Sequence, residues 1–200
     1  MSGLFAESQD ASVMGLVVDD STFDVNANGA LGVLANSVGT NSFSITLQAS
    51  TFNALNAFGA GTIQIINASD STSDVMITGN DINDAGLIGI LVNNDDNATS
   101  TVTISGNSIE GDGTQSQNGY GIQARQDEDG TYTLLIDNNT FAGLGLDHIR
   151  VNARDTTDGS GLLNATITNN VDRCADRYPG GYQCDDRGRF QHDLCRRTCE

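Results

Sequence analysis

Apolar and polar residues alternate in short bursts along this chain, and the bursts recur. Six of them align on one central residue: Val18, Leu47, Ile77, Ile104, Ile136 and Ile167. Successive anchors lie 29, 30, 27, 32 and 31 residues apart. Two positions before each stand Leu16, Ile45, Val75, Val102, Leu134 and Ala165, while the intervening and following positions are mainly polar. Alternation with period two predicts a strand with one buried face. Three residues after the anchors come Ser21, Ser50, Asn80, Asn107, Asn139 and Asn170. Two further on stand Phe23, Phe52, Ile82, Ile109 and Phe141, with Asp172 breaking the series in the sixth repeat. A second strand follows in each repeat, with inward pairs Val33/Ala35, Ile63/Ile65, Ile90/Val92, Ile122/Ala124 and Ile149/Val151.

A period near thirty with no helical segment predicts an all-β parallel solenoid of about six turns, in which equivalent residues stack into columns. Apolar columns then supply a continuous core that no single repeat can bury. The Ser/Asn series predicts a polar ladder at a bend, each side chain bonded to the one above.

Phrases such as VTISGNSIEG, DVMITGNDIN and LLIDNNTFAG resemble the coils of right-handed parallel β-helix proteins, a superfamily that includes pectate lyases, polygalacturonases, alginate epimerases, phage tailspikes and bacterial adhesins. The resemblance covers roughly residues 14–172. It implies architecture and leaves function open, because the scaffold carries enzymes, binders and structural rods.

Charge locates a boundary. Asp and Glu number 26 against nine Arg and no Lys, for a net charge of −17. All of that excess lies before residue 173, where 21 acids face three Arg, whereas residues 173–200 carry six Arg, five acids, the single Pro and all four Cys. Three units are therefore expected: a weak N-terminal cap (1–13), the solenoid (14–172) and a cysteine-rich tail (173–200). So negative a body repels nucleic acid, and no apolar run approaches the ~20 residues of a membrane span. The opening MSGLFAESQD shows no signal peptide.

The tail, with Cys174, Cys184, Cys195 and Cys199, resembles the ShKT module of sea-anemone toxins in its CRRTC ending and in the spacing of its middle cysteines. That family has six cysteines where this chain has four. The resemblance implies a Cys184–Cys199 disulfide and leaves Cys174 and Cys195 to pair with each other; zinc is the alternative. Disulfides imply a secreted or cell-surface setting.

Candidate chemistry is sparse. The best cluster is Asp147, His148 and Arg150, with Arg125 one repeat earlier and Arg154 nearby: cations that suit a uronate carboxylate beside two proton carriers. The bland reading is that these Arg residues offset the acids around them, and it weighs more. No metal site is assigned. The acidic loops at Asp95-Asp96, Asp127-Glu128-Asp129 and Asp155/Asp158 offer the hard oxygens that Ca²⁺ takes, without matching a known calcium loop. Glycosylation sequons occur at Asn67, Asn97, Asn138 and Asn164; Asn97 is the best placed as an acceptor. The leading expectation is an extracellular structural or adhesive rod, with end-to-end self-association into a filament. A polysaccharide lyase, epimerase or hydrolase fragment, or a carbohydrate-binding tailspike-like module, is the rival.

Overall fold

The computed structural model describes residues 2–24, 31–53, 61–111, 119–154 and 161–173. The cysteine-rich tail, and with it the four cysteines and their pairing, lies outside the described residues, as do Asp155 and Asp158. The described residues form an all-β parallel solenoid with no helix.

Each rung contributes three strands. The first three rungs are β1 (Ser2–Gln9), β2 (Val13–Asp19), β3 (Thr22–Asp24); β4 (Leu31–Val38), β5 (Ser42–Gln48), β6 (Thr51–Asn53); and β7 (Gly61–Ala68), β8 (Thr72–Thr78), β9 (Asp81–Ala85). The last three are β10 (Ile88–Asn94), β11 (Thr99–Ser105), β12 (Ser108–Gly111); β13 (Tyr120–Asp127), β14 (Thr131–Asp137), β15 (Thr140–Ala142); and β16 (Ile149–Arg154), β17 (Leu162–Thr168), β18 (Val171–Asp172). First, second and third strands stack into sheets A, B and C, each six strands deep and wholly parallel.

The register follows the sequence columns. Val18, Leu47, Ile77, Ile104, Ile136 and Ile167 pair rung by rung in sheet B. In sheet A, Val33, Ile63, Ile90, Ile122 and Ile149 do the same. The interior residues of the middle rungs are sealed: Leu47, Ile63, Ile77, Ile104 and Ile136 expose nothing to solvent. Burying such side chains contributes about 1.5–3 kcal/mol each, the main term holding the rungs together.

Residues 2–9, set apart in the sequence as a cap, are strand β1: Leu4 stacks on Val33 and Ala6 on Ala35. The first rung therefore begins twelve residues before Met14.

Two corners are built alike, each on one residue in the left-handed region. Asp20, Ala49, Gly79, Gly106, Asn138 and Asn169 turn the chain from sheet B to C. Asp10, Gly39, Ser69, Asp96 and Glu128 turn it from A to B. Glycine enters this region freely and Asp or Asn tolerates it, which explains most of the choices; Ala49, at φ 47°, has neither advantage.

The predicted polar ladder runs up the B–C corner. Asn80 donates its backbone N–H and its Nδ2 to Asn107 Oδ1 (both 3.0 Å), and Asn107 repeats both bonds to Asn139. Asn139 does the same to Asn170. Each amide also donates to the strand behind it, as Asn107 Nδ2 does to Ile77 O (2.8 Å). Donors and acceptors that would otherwise be orphaned in the core are thereby paired.

A second ladder, not anticipated, lines the A–B corner. Ser8, Ser37, Asn67, Asn94 and Gln126 stack in register and all are buried. Asn67 Nδ2 donates to Asn94 Oδ1 (3.0 Å), and Asn94 Nδ2 to Gln126 Oε1 (2.6 Å). Ser71 and Ser100 bond into the same network.

The ends differ from the middle. In the last rung Ile167 is 47% exposed although Ile136, one rung inward, is sealed. Ala165 is likewise exposed, and Leu163, Ile149 and Val151 are only partly covered. Leu4, Ala6, Met14, Leu16 and Phe23 form the corresponding half-covered layer of the first rung.

Candidate functional site

Outward residues of sheet A and its flanks include the residues singled out for chemistry, and register decides which of them meet. Arg150 pairs with Gln123, and Arg125 with Asn152, so the two guanidinium groups start two positions out of step. Each then finds its own partner. Arg150 lies over the Tyr120 ring, 4.8 Å from its centroid, and donates to the Tyr120 hydroxyl. Arg125 Nη2 bonds Asp127 Oδ2 at 2.7 Å. Arg154 Nε approaches the other oxygen of Asp127 at 3.9 Å.

His148 does not stand among them. Its ring stacks on Phe141, with centroids 5.4 Å apart and planes nearly parallel, so it covers the end of the apolar column. Its Nε2 lies 3.8 Å from Asp172 Oδ1. Asp147 is exposed, and its backbone carbonyl, not its carboxylate, is engaged, accepting from Gly121 N. The four residues Asp147, His148, Arg150 and Arg125 thus occupy separate contacts, with no nucleophile–base or acid–base pair among them at bonding distance.

A different group gathers at the A–B edge. Asn93 is the direct neighbour of Arg125, and Asp95 follows Asn94, whose partner Gln126 precedes Asp127. Burial, and then the nearby charge of Asp127, push the Asp95 carboxyl up to about 6, against a smaller opposing pull from Arg125. Asn93 Oδ1, Asp95 Oδ1, Asp127 Oδ1 and Arg125 Nε are buried without a hydrogen-bond partner. Sequence reading registered the acids as loop charges and passed over Asn93; the signal was the outward alternation Leu91, Asn93, Asp95, which sets Asn93 beside Arg125.

Such a group can receive hydroxyls through both donors and acceptors. Arg125 and Arg154 both approach Asp127, at 2.7 and 3.9 Å. Among the described residues no three His, Cys, Asp or Glu are arranged to hold a metal ion.

The sequons separate by burial. Asn67 is sealed inside the A–B ladder, whereas Asn97 is exposed and donates to Asp70 Oδ1 at 3.2 Å. Only a sequon whose amide faces solvent is open to a glycan in the folded chain. No helix among the described residues is long and apolar enough to cross a membrane.

No family model matches this chain, and no curated protein or solved structure matches it either.

Proposed function

We propose that this chain is an extracellular structural or adhesive rod, a solenoid module that acts by shape and continues end to end with further copies. The observation that carries the reading is the last described rung: among the described residues, the columns sealed in the middle of the molecule end in Ile167 and Ala165 facing solvent. A rung with no further rung stacked on it also leaves unpaired strand edges, which template addition of another chain. The secreted setting rests on the clustered cysteines of the tail. The separate engagement of Arg125, Arg150 and His148 supports shape over turnover.

Sedimentation velocity and electron microscopy at rising concentration test the reading. The negative charge of the body opposes contact between copies, so association is expected to strengthen with salt or Ca²⁺. A chain that stays monomeric at high concentration under both conditions contradicts the proposal.

A second reading, a carbohydrate-binding module, is favoured by the partnerless polar atoms around Asn93, Asp95 and Arg125. Binding on a glycan array that Arg125→Ala abolishes would support it. Uronate-polymer cleavage lost in Arg150→Ala would instead point to an enzyme.

A further inference from the structure

We propose that a second copy of the chain docks its first rung on the last rung in one defined register, and that Asp172 is a built-in brake on this contact. The inference rests on the end-to-end reading and specifies its interface.

The argument begins with how rungs are joined inside the molecule at the B–C corner, where three kinds of bond recur. The left-handed residue donates its N–H to the carbonyl of the next rung's strand end: Gly79 N to Ser105 O (3.0 Å), Gly106 N to Asp137 O (3.1 Å), Asn138 N to Thr168 O (3.1 Å). The ladder residue donates its N–H to the next ladder side chain, as Ser21 N does to Ser50 Oγ at 3.1 Å. The residue after the next ladder position donates back: Thr51 N to Ser21 O (2.8 Å), Thr140 N to Asn107 O (2.8 Å), Val171 N to Asn139 O (2.8 Å).

At the last rung these bonds have no continuation within the described residues. Asn169 N–H, Asn170 N–H and Asn170 C=O face outward along the axis. The first rung presents the matching set: Asp19 C=O, Ser21 Oγ and Thr22 N–H. Moving a second copy one rung beyond the end brings Asn169 N to Asp19 O, Asn170 N to Ser21 Oγ, and Thr22 N to Asn170 O. Ser21 Oγ donates to Asp19 O at 2.9 Å and keeps its lone pairs free to accept. Ser50 shows that the two roles are compatible, since its Oγ donates to Gln48 O while accepting from Ser21 N. The same displacement sets Val18 on Ile167, Leu16 on Ala165 and Met14 on Leu163, covering the side chains left open at both ends. The docked contact is a sixth copy of an interface the chain makes five times internally.

Three columns do not match. Ala153 stands where the A–B ladder would continue beyond Gln126, and His148 stands where Gly121 lies one rung inward; the third is the aromatic column. Asp172 pairs with Phe141 and so stands in the series Phe23, Phe52, Ile82, Ile109 and Phe141. Within the chain Phe23 and Phe52 stack at 4.9 Å with their rings nearly parallel. In the docked pair Phe23 of the incoming copy would meet the Asp172 carboxylate, whose side chain is now 52% exposed and whose Oδ1 lies 3.8 Å from His148 Nε2. Taking that charge out of water against an aromatic ring opposes the contact.

The test is sedimentation equilibrium of the full chain in high salt, comparing wild type, Asp172→Phe, and Asp172→Phe combined with Asp19→Pro. Asp19 lies on the free edge of β2, and proline there deletes one edge donor without touching the inward columns. Completing the Phe column is expected to tighten association about tenfold or more, and adding Asp19→Pro is expected to reverse that gain with the circular dichroism of the monomer unchanged. If the double variant associates as tightly as Asp172→Phe alone, the contact is unspecific stickiness and the register is wrong. A wild type that associates equally with and without Asp172→Phe removes the brake while leaving the rod reading intact. Monomeric wild type beside an associating, proline-sensitive Asp172→Phe does the reverse: it upholds the interface and its brake, and overturns the rod reading for the natural chain.

Discussion

Asn107 stands mid-ladder, and replacing it with alanine removes four bonds at once. Its Oδ1 accepts from Asn80 N and Asn80 Nδ2, each at 3.0 Å; its Nδ2 donates to Ile77 O at 2.8 Å and Asn139 Oδ1 at 2.9 Å. Asn80 Nδ2 retains Leu47 O, and Asn139 Oδ1 retains the Asn107 backbone N–H. Asn80 N–H, in a fully buried residue, retains nothing. An orphaned buried donor costs about 1–3 kcal/mol, and the lost bonds and small void add to it, so Asn107→Ala is expected to cost about 3–4 kcal/mol. Asn170 supplies the internal control. It accepts the same pair of bonds from Asn139, but it is only half-buried at the open end, where water replaces the lost acceptor. Asn170→Ala is therefore expected to cost about 1 kcal/mol. Urea unfolding followed by far-ultraviolet circular dichroism, with unchanged m-values, measures both. Amide exchange at Asn80 should also accelerate in Asn107→Ala alone. Equal losses in the two variants would refute the claim that burial, and not the mere count of bonds, sets the ladder's contribution.

Tyr132 is fully buried with its hydroxyl unpaired, so Tyr132→Phe should stabilise by about 1 kcal/mol in the same assay. Ala49, in the left-handed region at φ 47°, should accept glycine with a gain of about 0.5–1 kcal/mol, since the relief of steric strain exceeds the entropic loss. Asp95, raised to about 6, binds its proton more tightly folded than unfolded, so its contribution to stability falls as pH rises from about 4 to 6 and stays low above that. Asp95→Asn should thus stabilise at pH 7 by about 1 kcal/mol, a figure reduced for the partial exposure of the group, and the advantage should vanish below pH 4, as read from unfolding midpoints across that range.

The fold was legible because a solenoid repeats one local rule: apolar residues two apart, a Ser or Asn three after the anchor, and in five of the six repeats a Phe or Ile two later. Each rung therefore restates the same evidence, and the columns through Leu47 and Ile63 are read without knowing where the strands lie in space. The A–B ladder was written in the same code. Asn67 stands two residues after Ile65, and Asn94 two after Val92, in the same alternation phase, but polarity made them look outward. Their burial depends on mutual satisfaction across rungs, which a single repeat does not display. Strand β1 was missed because the Leu4, Ala6, Ser8 series lacks the β-branched residues that mark its successors. The candidate site failed for a different reason. Sequence shows that Arg125 and Arg150 share an outward phase, and the aligned pairs Ile122/Ala124 and Ile149/Val151 already set them two positions apart; what it does not show is Tyr120 and Asp127 engaging them separately.

The three corners obey different rules of inheritance. From Val33 to Leu47, Ile63 to Ile77, Ile90 to Ile104 and Ile122 to Ile136 the count is fourteen residues every time, so in these rungs the A–B corner never changes length. All variation in repeat length through the fifth rung falls between sheets C and A, where β9 reaches β10 across two residues and β12 reaches β13 across eight. A codon inserted between Asn67 and Thr72 would turn a whole strand inside out; one inserted between Ala85 and Ile88 would merely lengthen a surface loop. In the first five rungs insertion and deletion are thus funnelled to a single edge of the solenoid, whereas the sixth has eighteen residues from Ile149 to Ile167. That edge is where such a protein can diversify, and where a foreign peptide can be grafted at successive rungs without disturbing the stack.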